Sequence, residues 1–176
     1  MHEASLHDDN CFITLTYDDE HIPTNGSLVK SDFQKFMKRY RKDVGKKLKY
    51  YMCGEYGSQY TVQGQHIVKI DKALGRPHFH AAILAHSDLN RDDLELVTCQ
   101  NGNRLYTSEK LESLWPNGYV SVGQLTFESA AYVARYIMKK VTGELAEHHY
   151  TTTCPTTGNE VSVLPEYNSM SLRRRS

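Results

Sequence analysis

Hydrophobic and polar positions change period several times along the chain. Over residues 11–17 (CFITLTY) β-branched and aromatic residues alternate, the period of a strand, and a polar turn around Pro23, Asn25 and Gly26 ends it. Ser31 followed by Gln34 has the spacing of a capping box, after which Phe33, Phe36, Met37, Tyr40 and Val44 recur at helical spacing until Gly45. That helix is expected to bury one apolar stripe and turn its Lys and Arg residues outward. Residues 49–55 (KYYMCGE) read as a second strand, 57–75 as a long polar excursion, and 77–85 (PHFHAAILA) as a third strand. A strand over 95–99, a short helix over 109–114 and a strand over 118–122 follow.

Thr126 then caps a helix running from Phe127 to about Val141, with Glu128 in its favourable first turn. Its expected apolar stripe is Phe127, Ala130, Ala131, Ala134, Ile137, Met138 and Val141, with Tyr132, Tyr136 and Lys139 on the opposite face. Residues 142–176 are Thr-rich and irregular. This division predicts one domain over 1–145 and a tail over 146–176. Strands separated by helices could form a parallel doubly wound sheet, but a glycine-rich strand-to-helix phosphate loop is missing. An α+β fold with an antiparallel sheet is favoured.

Composition narrows the class. The 176 residues, 39% hydrophobic, suffice for one ordinary core and are too few for a nuclease domain plus a helicase motor. The longest apolar runs, such as 81–85, fall far short of a membrane span, and residues 1–10 do not read as a signal peptide, so a soluble intracellular protein is expected. Cys11, Cys53, Cys99 and Cys154 are scattered without a CxxC pair, which favours reduced thiols over a zinc ribbon or a disulfide framework.

The formal net charge is zero, which by itself argues against a nucleic-acid partner. Its distribution argues the other way. Residues 1–29 hold Glu3, Asp8, Asp9, Asp18, Asp19 and Glu20 and no Lys or Arg, whereas 30–49 hold nine basic residues against Asp32 and Asp43. Such segregation makes either a solvated helix face or a nucleic-acid track, with Lys35, Lys38, Arg39, Arg41 and Lys42, joined by Arg76 and Lys140, as the candidate contacts.

His78 and His80 lie two apart in a strand, so their imidazoles leave one face about 7 Å apart and can converge on one ion. Phe79, Ala81 and Ile83 point to the core. Glu55, ending the preceding strand, is the best third ligand. Two imidazoles and a carboxylate leave room for water and a phosphate oxygen, and a hard oxygen donor at a phosphoryl centre suits Mg²⁺ or Mn²⁺. Tyr132 and Tyr136 stack one turn apart with Lys139 a turn beyond. A phenol with a pKa of about 10 needs its charge stabilised to act as a nucleophile. A metal on the scissile phosphate and a nearby lysine would both help.

The string RPHFHAAIL, with GEYG upstream and YVARYIMKK downstream, resembles the two-tyrosine HUH endonucleases of the rolling-circle Rep superfamily. More closely, the chain is similar to the replication initiators of gokushoviruses, small single-stranded DNA phages of the Microviridae, through FITLTYDDEHIP, DFQKFMKRYRK, YMCGEYG, LYTSEKLESLWPNGYVSVG and TFESAAYVARYIMKKVTG. The resemblance implies a five-stranded antiparallel sheet with flanking helices. It implies His78 and His80 as metal ligands completed by Glu55, Tyr132 and Tyr136 as nucleophiles supported by Lys139, and nicking of single-stranded origin DNA through a 5′-phosphotyrosine. Host helicase and DNA polymerase are the implied partners, in the cytoplasm of the bacterial host.

Two other classes compete. A non-enzymatic single-stranded DNA-binding module accounts for the basic helix and the tyrosines but not for His78, His80 and Glu55. A metallohydrolase acting on a small substrate accounts for the ligands but gives Tyr132 and Tyr136 no purpose.

Overall fold

The structure, a computed structural model, describes residues 4–63, 66–100, 102–154 and 157–171, with side chains described outside 59–73, 100 and 136–139. In chain order the elements are β1 (Asn10–Tyr17), α1 (Lys30–Val44), β2 (Lys49–Gln63), β3 (His66–Leu84), β4 (Glu95–Gln100), β5 (Asn103–Thr107), α2 (Glu109–Leu114), β6 (Gly118–Gln124), α3 (Phe127–Lys139), α4 (Glu144–His149), β7 (Thr151–Thr153), β8 (Glu160–Ser162) and β9 (Tyr167–Met170). Among the described residues, β4-β5-β6-β1-β3-β2-β9 form a sheet of seven strands in that order, each neighbouring pair antiparallel. The α+β antiparallel architecture is the one expected, with seven strands where the resemblance implies five.

Strand alternation divides the sheet into two unlike faces. Ile13, Leu15 and Tyr17 of β1, Met52 of β2, Phe79, Ala81 and Ile83 of β3, and Val120 and Val122 of β6 are buried together. Against them pack Phe33, Phe36, Met37 and Tyr40 of α1, Leu111 and Leu114 of α2, and Trp115. Burying each large apolar side chain contributes about 1.5–3 kcal/mol. Trp115 sits among Tyr17, Phe36 and Phe79, and its Nε1 donates to Thr16 O at 3.1 Å, which satisfies the buried indole. On the opposite face a smaller cluster of Phe12, Cys53 and Val133 seats α3, which lies over β2, β3 and β9.

Four local expectations need correction. The first helix starts at Lys30 behind Val29, whose side chain makes no cap, so Ser31 and Gln34 form no capping box; Gly45, at φ 74°, ends it in the left-handed conformation that glycine tolerates. Residues 57–75 are not a loop, because β2 and β3 continue as a paired ribbon as far as Gln63 opposite His66. Its register shifts near Ser58, where a Cβ on Gly75 would lie 2.3 Å from Gly57 O, a backbone approach that excludes any side chain.

The apolar stripe expected on α3 does not face the core. Phe127 is 66% exposed and Ala134 is exposed, while Val133 is fully buried. The helix packs on the polar face of the sheet, so its buried surface is the one that fits between Phe12 and Cys53. Its N-terminus is as expected: Thr126 accepts from Ser129 N at 3.2 Å in a capping box with Ser129.

The segment expected to be irregular is built into the domain. Tyr150 and Val163 join the main core, and the Tyr150 hydroxyl donates to Glu166 while accepting from Val141 N. β9 pairs with β2 over Tyr51–Met170 to Gly54–Tyr167. Among the described residues no helix is long and apolar enough to cross a membrane. All four cysteines are free thiols.

Candidate active site

Register in the sheet assembles the site. Glu55 on β2 lies directly opposite His78 on β3, and His78 lies opposite Thr16 on β1; one step along, Cys53, His80 and Thr14 form the next row. Directly opposed residues share a face, so Glu55, His78, His80, Thr14 and Thr16 all project away from the Phe79 core. His78 Nε2 and His80 Nε2 each lie 2.9 Å from Glu55 Oε1. Together the three side chains form a group able to hold one metal ion, with ligand atoms within 4.8 Å of one another.

The outer nitrogens are anchored as well. His78 Nδ1 lies 3.0 Å from Arg76 O, and a carbonyl only accepts, so Nδ1 carries the proton. A neutral His78 then turns an Nε2 lone pair towards a carboxylate oxygen, an arrangement that requires a proton or a metal ion between them. His80 Nδ1 lies 2.8 Å from Thr14 Oγ1, and its ring stacks on Phe12 at 5.4 Å. Supports of this kind orient metal-binding imidazoles.

Glu55 is 1% exposed, and its Oε2 is buried with no hydrogen-bond partner among the described residues. A buried carboxylate oxygen left unpaired is costly unless a cation takes it. Burial pushes the Glu55 carboxyl up, but hydrogen bonds and charge from His78 and His80 outweigh it and hold the carboxyl at about 2. Burial is also the main cause lowering the pKa of His80, which favours the neutral, ligating imidazole. The donor set and the orphaned oxygen therefore fit a divalent ion.

From α3, Tyr132 reaches down to this group. Its hydroxyl donates to Glu55 Oε1 at 2.8 Å, and its ring meets that of His80 edge-on at 5.1 Å. Burial, followed by the adjacent Glu55 charge, raises the pKa of the phenol, so it is held protonated. At 37% exposed it is open to solvent from one side. Tyr136 and Lys139 lie within α3, but their side chains fall outside the described residues.

The basic residues divide. Lys35, Lys38 and Lys42 are exposed on α1, which packs on the Phe79 face, so the sheet separates them from His78 and His80. Arg39 and Arg41 do not simply point outward. Arg39 Nε donates to Leu114 O at 2.7 Å, and Arg41 Nη2 donates to Leu48 O at 2.8 Å with its guanidinium 5.4 Å from the Tyr50 ring centre. Their donors satisfy backbone carbonyls at element ends, and their stems cover the core edge. Arg76 pairs with Asp19 and donates to Tyr17 O beside the site, and Lys140 is exposed at the end of α3.

Thr14 and the Arg76 carbonyl escaped the sequence reading. Polar Thr14 and Thr16 alternating with buried Ile13, Leu15 and Tyr17 were the available signal for a polar face on β1. Asn168, which donates to Val133 O at 2.8 Å and so ties α3 to β9, had none.

Comparison with known proteins agrees with this arrangement. The chain is 36% identical over 159 residues to the replication-associated protein VP4 of Bdellovibrio phage phiMH2K, covering 85% of this chain and 45% of that protein. It is 33% identical to the replication-associated protein ORF2 of Spiroplasma virus 4, covering 75% of this chain and 39% of the relative. It is 35% identical to the replication-associated protein ORF4 of Chlamydia phage 1, covering 78% and 32%. The chain thus spans less than half the length of these relatives. No solved structure matches it. The family model for replication-associated proteins of the ORF2 type matches residues 10–141, from the first strand to just beyond α3. The chain belongs to this family of replication-associated proteins, in keeping with its resemblance to the gokushovirus initiators.

Proposed function

We propose that this chain is the nicking domain of a rolling-circle replication initiator, cutting single-stranded origin DNA by tyrosine attack with a divalent metal, Mg²⁺ or Mn²⁺, held by Glu55, His78 and His80. The observation that carries the reading is the Tyr132 hydroxyl lying 2.8 Å from the carboxylate shared with both histidines. A structural metal site has no need of a half-exposed phenol, and a base-stacking tyrosine has no need of a buried carboxylate.

A bound divalent ion supplies Lewis acidity to the non-bridging oxygens of the scissile phosphate. His78 and His80 are pre-oriented to hold it through Arg76 O and Thr14. Glu55 keeps the Tyr132 hydroxyl protonated and close, so the nucleophile is restrained until phosphate takes the place of that hydrogen bond. In the transfer the phenolic oxygen bonds to phosphorus and gives up its proton, while the 3′ oxygen leaves with the bonding pair and is protonated. The product is a 5′-phosphotyrosine and a free 3′ hydroxyl. Because the phosphodiester energy is kept, the reverse reaction reseals a strand. Tyr136 serves as the second nucleophile and Lys139 supports the developing phenolate. Host helicase and polymerase extend the reaction in the bacterial cytoplasm.

Incubation with a labelled single-stranded origin oligonucleotide tests the proposal. A denaturation-resistant adduct that forms with Mn²⁺ and fails with EDTA supports it. Cleavage without an adduct, or an adduct indifferent to chelation, overturns it.

A further inference from the structure

β6 extends the ligand rows across the sheet. Tyr119 lies opposite Thr16, which lies opposite His78, which lies opposite Glu55; Ser121 lies opposite Thr14 in the row of His80. Tyr119 therefore shares the face of the candidate metal ligands, two strands away at about 10 Å. Its neighbour Val120, and Val122 beyond, turn to the core at 2% and 0% exposure, whereas Tyr119 is 65% exposed. The fold makes little use of this ring. α3 lies over β3, β2 and β9 on this face, leaving the β6 side to solvent. The intervening positions, Thr14, Thr16 and Ser121, are small, polar and half-buried, forming a low floor between the histidines and the tyrosine.

We propose that Tyr119 is a base-stacking platform for the DNA strand, receiving a base next to the scissile phosphate and fixing how the strand crosses the β1–β6 face into the site. This rests on the nicking reading and deepens it. An exposed aromatic in register with phosphate-binding groups offers a π-face that any base can use, so the contact positions the strand without selecting its sequence. Tyr119 acts through the strand it holds and is a positioning residue.

The test is fluorescence anisotropy of a labelled oligothymidylate with the full chain in EDTA, where cleavage does not contribute, followed by nicking kinetics in Mn²⁺. Tyr119→Ala is expected to weaken binding by about tenfold and to raise KM while leaving kcat and the melting temperature near wild type. Tyr119→Phe, which keeps the ring, is expected to bind like wild type, and 2-aminopurine beside the scissile position is expected to be quenched by wild type and Tyr119→Phe only. Unchanged affinity in Tyr119→Ala, or equal losses in Tyr119→Ala and Tyr119→Phe, overturns the platform and leaves the nicking proposal intact. Failure of the wild-type chain to bind single-stranded DNA overturns both.

Discussion

Tyr132 and Glu55 meet hydroxyl to carboxylate, 2.8 Å apart, although 77 residues separate them in the chain. The contact joins a helix to the one strand position that both histidines also address. It predicts that Tyr132 and the metal-ligand group are energetically coupled. Mn²⁺ should raise the melting temperature of the wild-type chain, by an amount equivalent to about 2.7 kcal/mol at a hundredfold excess over Kd. His78→Ala and His80→Ala should abolish the rise, and Glu55→Gln should weaken it. Tyr132→Phe should retain it with a changed midpoint in the metal titration. Equal shifts in the wild type and both histidine variants would remove the metal assignment.

Acid should destabilise the metal-free domain. Glu55 is held at about 2, below its ordinary 4.5, so its contribution is fully present above pH 4.5 and is lost as pH falls towards 2. His80 is also lowered, from 6.5, so the unfolded chain binds its proton more readily and stability begins to fall below pH 6.5. Urea midpoints in EDTA should decline from neutral pH downward. In Glu55→Gln the segment below pH 4.5 should be flatter; a midpoint that rises on acidification contradicts this account.

On α1, lysine and arginine substitutions should have different effects. Arg39→Ala leaves the Leu114 carbonyl without its charged donor and should cost about 1–3 kcal/mol of stability. Lys38 and Lys42 are exposed and across the sheet from the site, so Lys38→Gln with Lys42→Gln should leave stability and short-oligonucleotide nicking unchanged. Longer DNA that wraps to that face should bind more weakly with a shallower salt dependence. An unchanged salt slope on long DNA would make these lysines a solvated surface.

The last thirty residues should be needed for folding. Tyr150→Phe removes the donor to buried Glu166 and should cost about 1–3 kcal/mol. Deleting residues 146–176 removes Tyr150 and Val163 from the core and β9 from the edge of β2, and should prevent cooperative urea unfolding. A shortened chain with a wild-type unfolding transition contradicts this.

Long periodic elements were legible in the sequence. Phe79, Ala81 and Ile83 set the register of β3 without ambiguity, which in turn put His78 and His80 on the outer face, and Glu55 followed as their neighbour across one strand pair. The burial of α3 was not legible, because its alanines look like a core stripe. Helix periodicity says which residues share a face, not which face the sheet will accept, and here a small cluster around Val133 beside the histidines decided it. β7, β8 and β9 are three or four residues long, too short to show a period, and are ordered by long-range contacts such as Asn168 with Val133. The basic charge run was visible, but only the fold shows that Arg39 and Arg41 are held by carbonyls and that α1 lies across the sheet from the site.

The central claim, that tyrosines on α3 attack a phosphate brought to Glu55, His78 and His80, is tested most directly by peptide mapping of the covalent adduct formed with single-stranded origin DNA in Mn²⁺. The account predicts a phosphodiester link on Tyr132 or Tyr136, some adduct from each of Tyr132→Phe and Tyr136→Phe, and none from the double variant. A link on any other residue, or full adduct yield from the double variant, would contradict it.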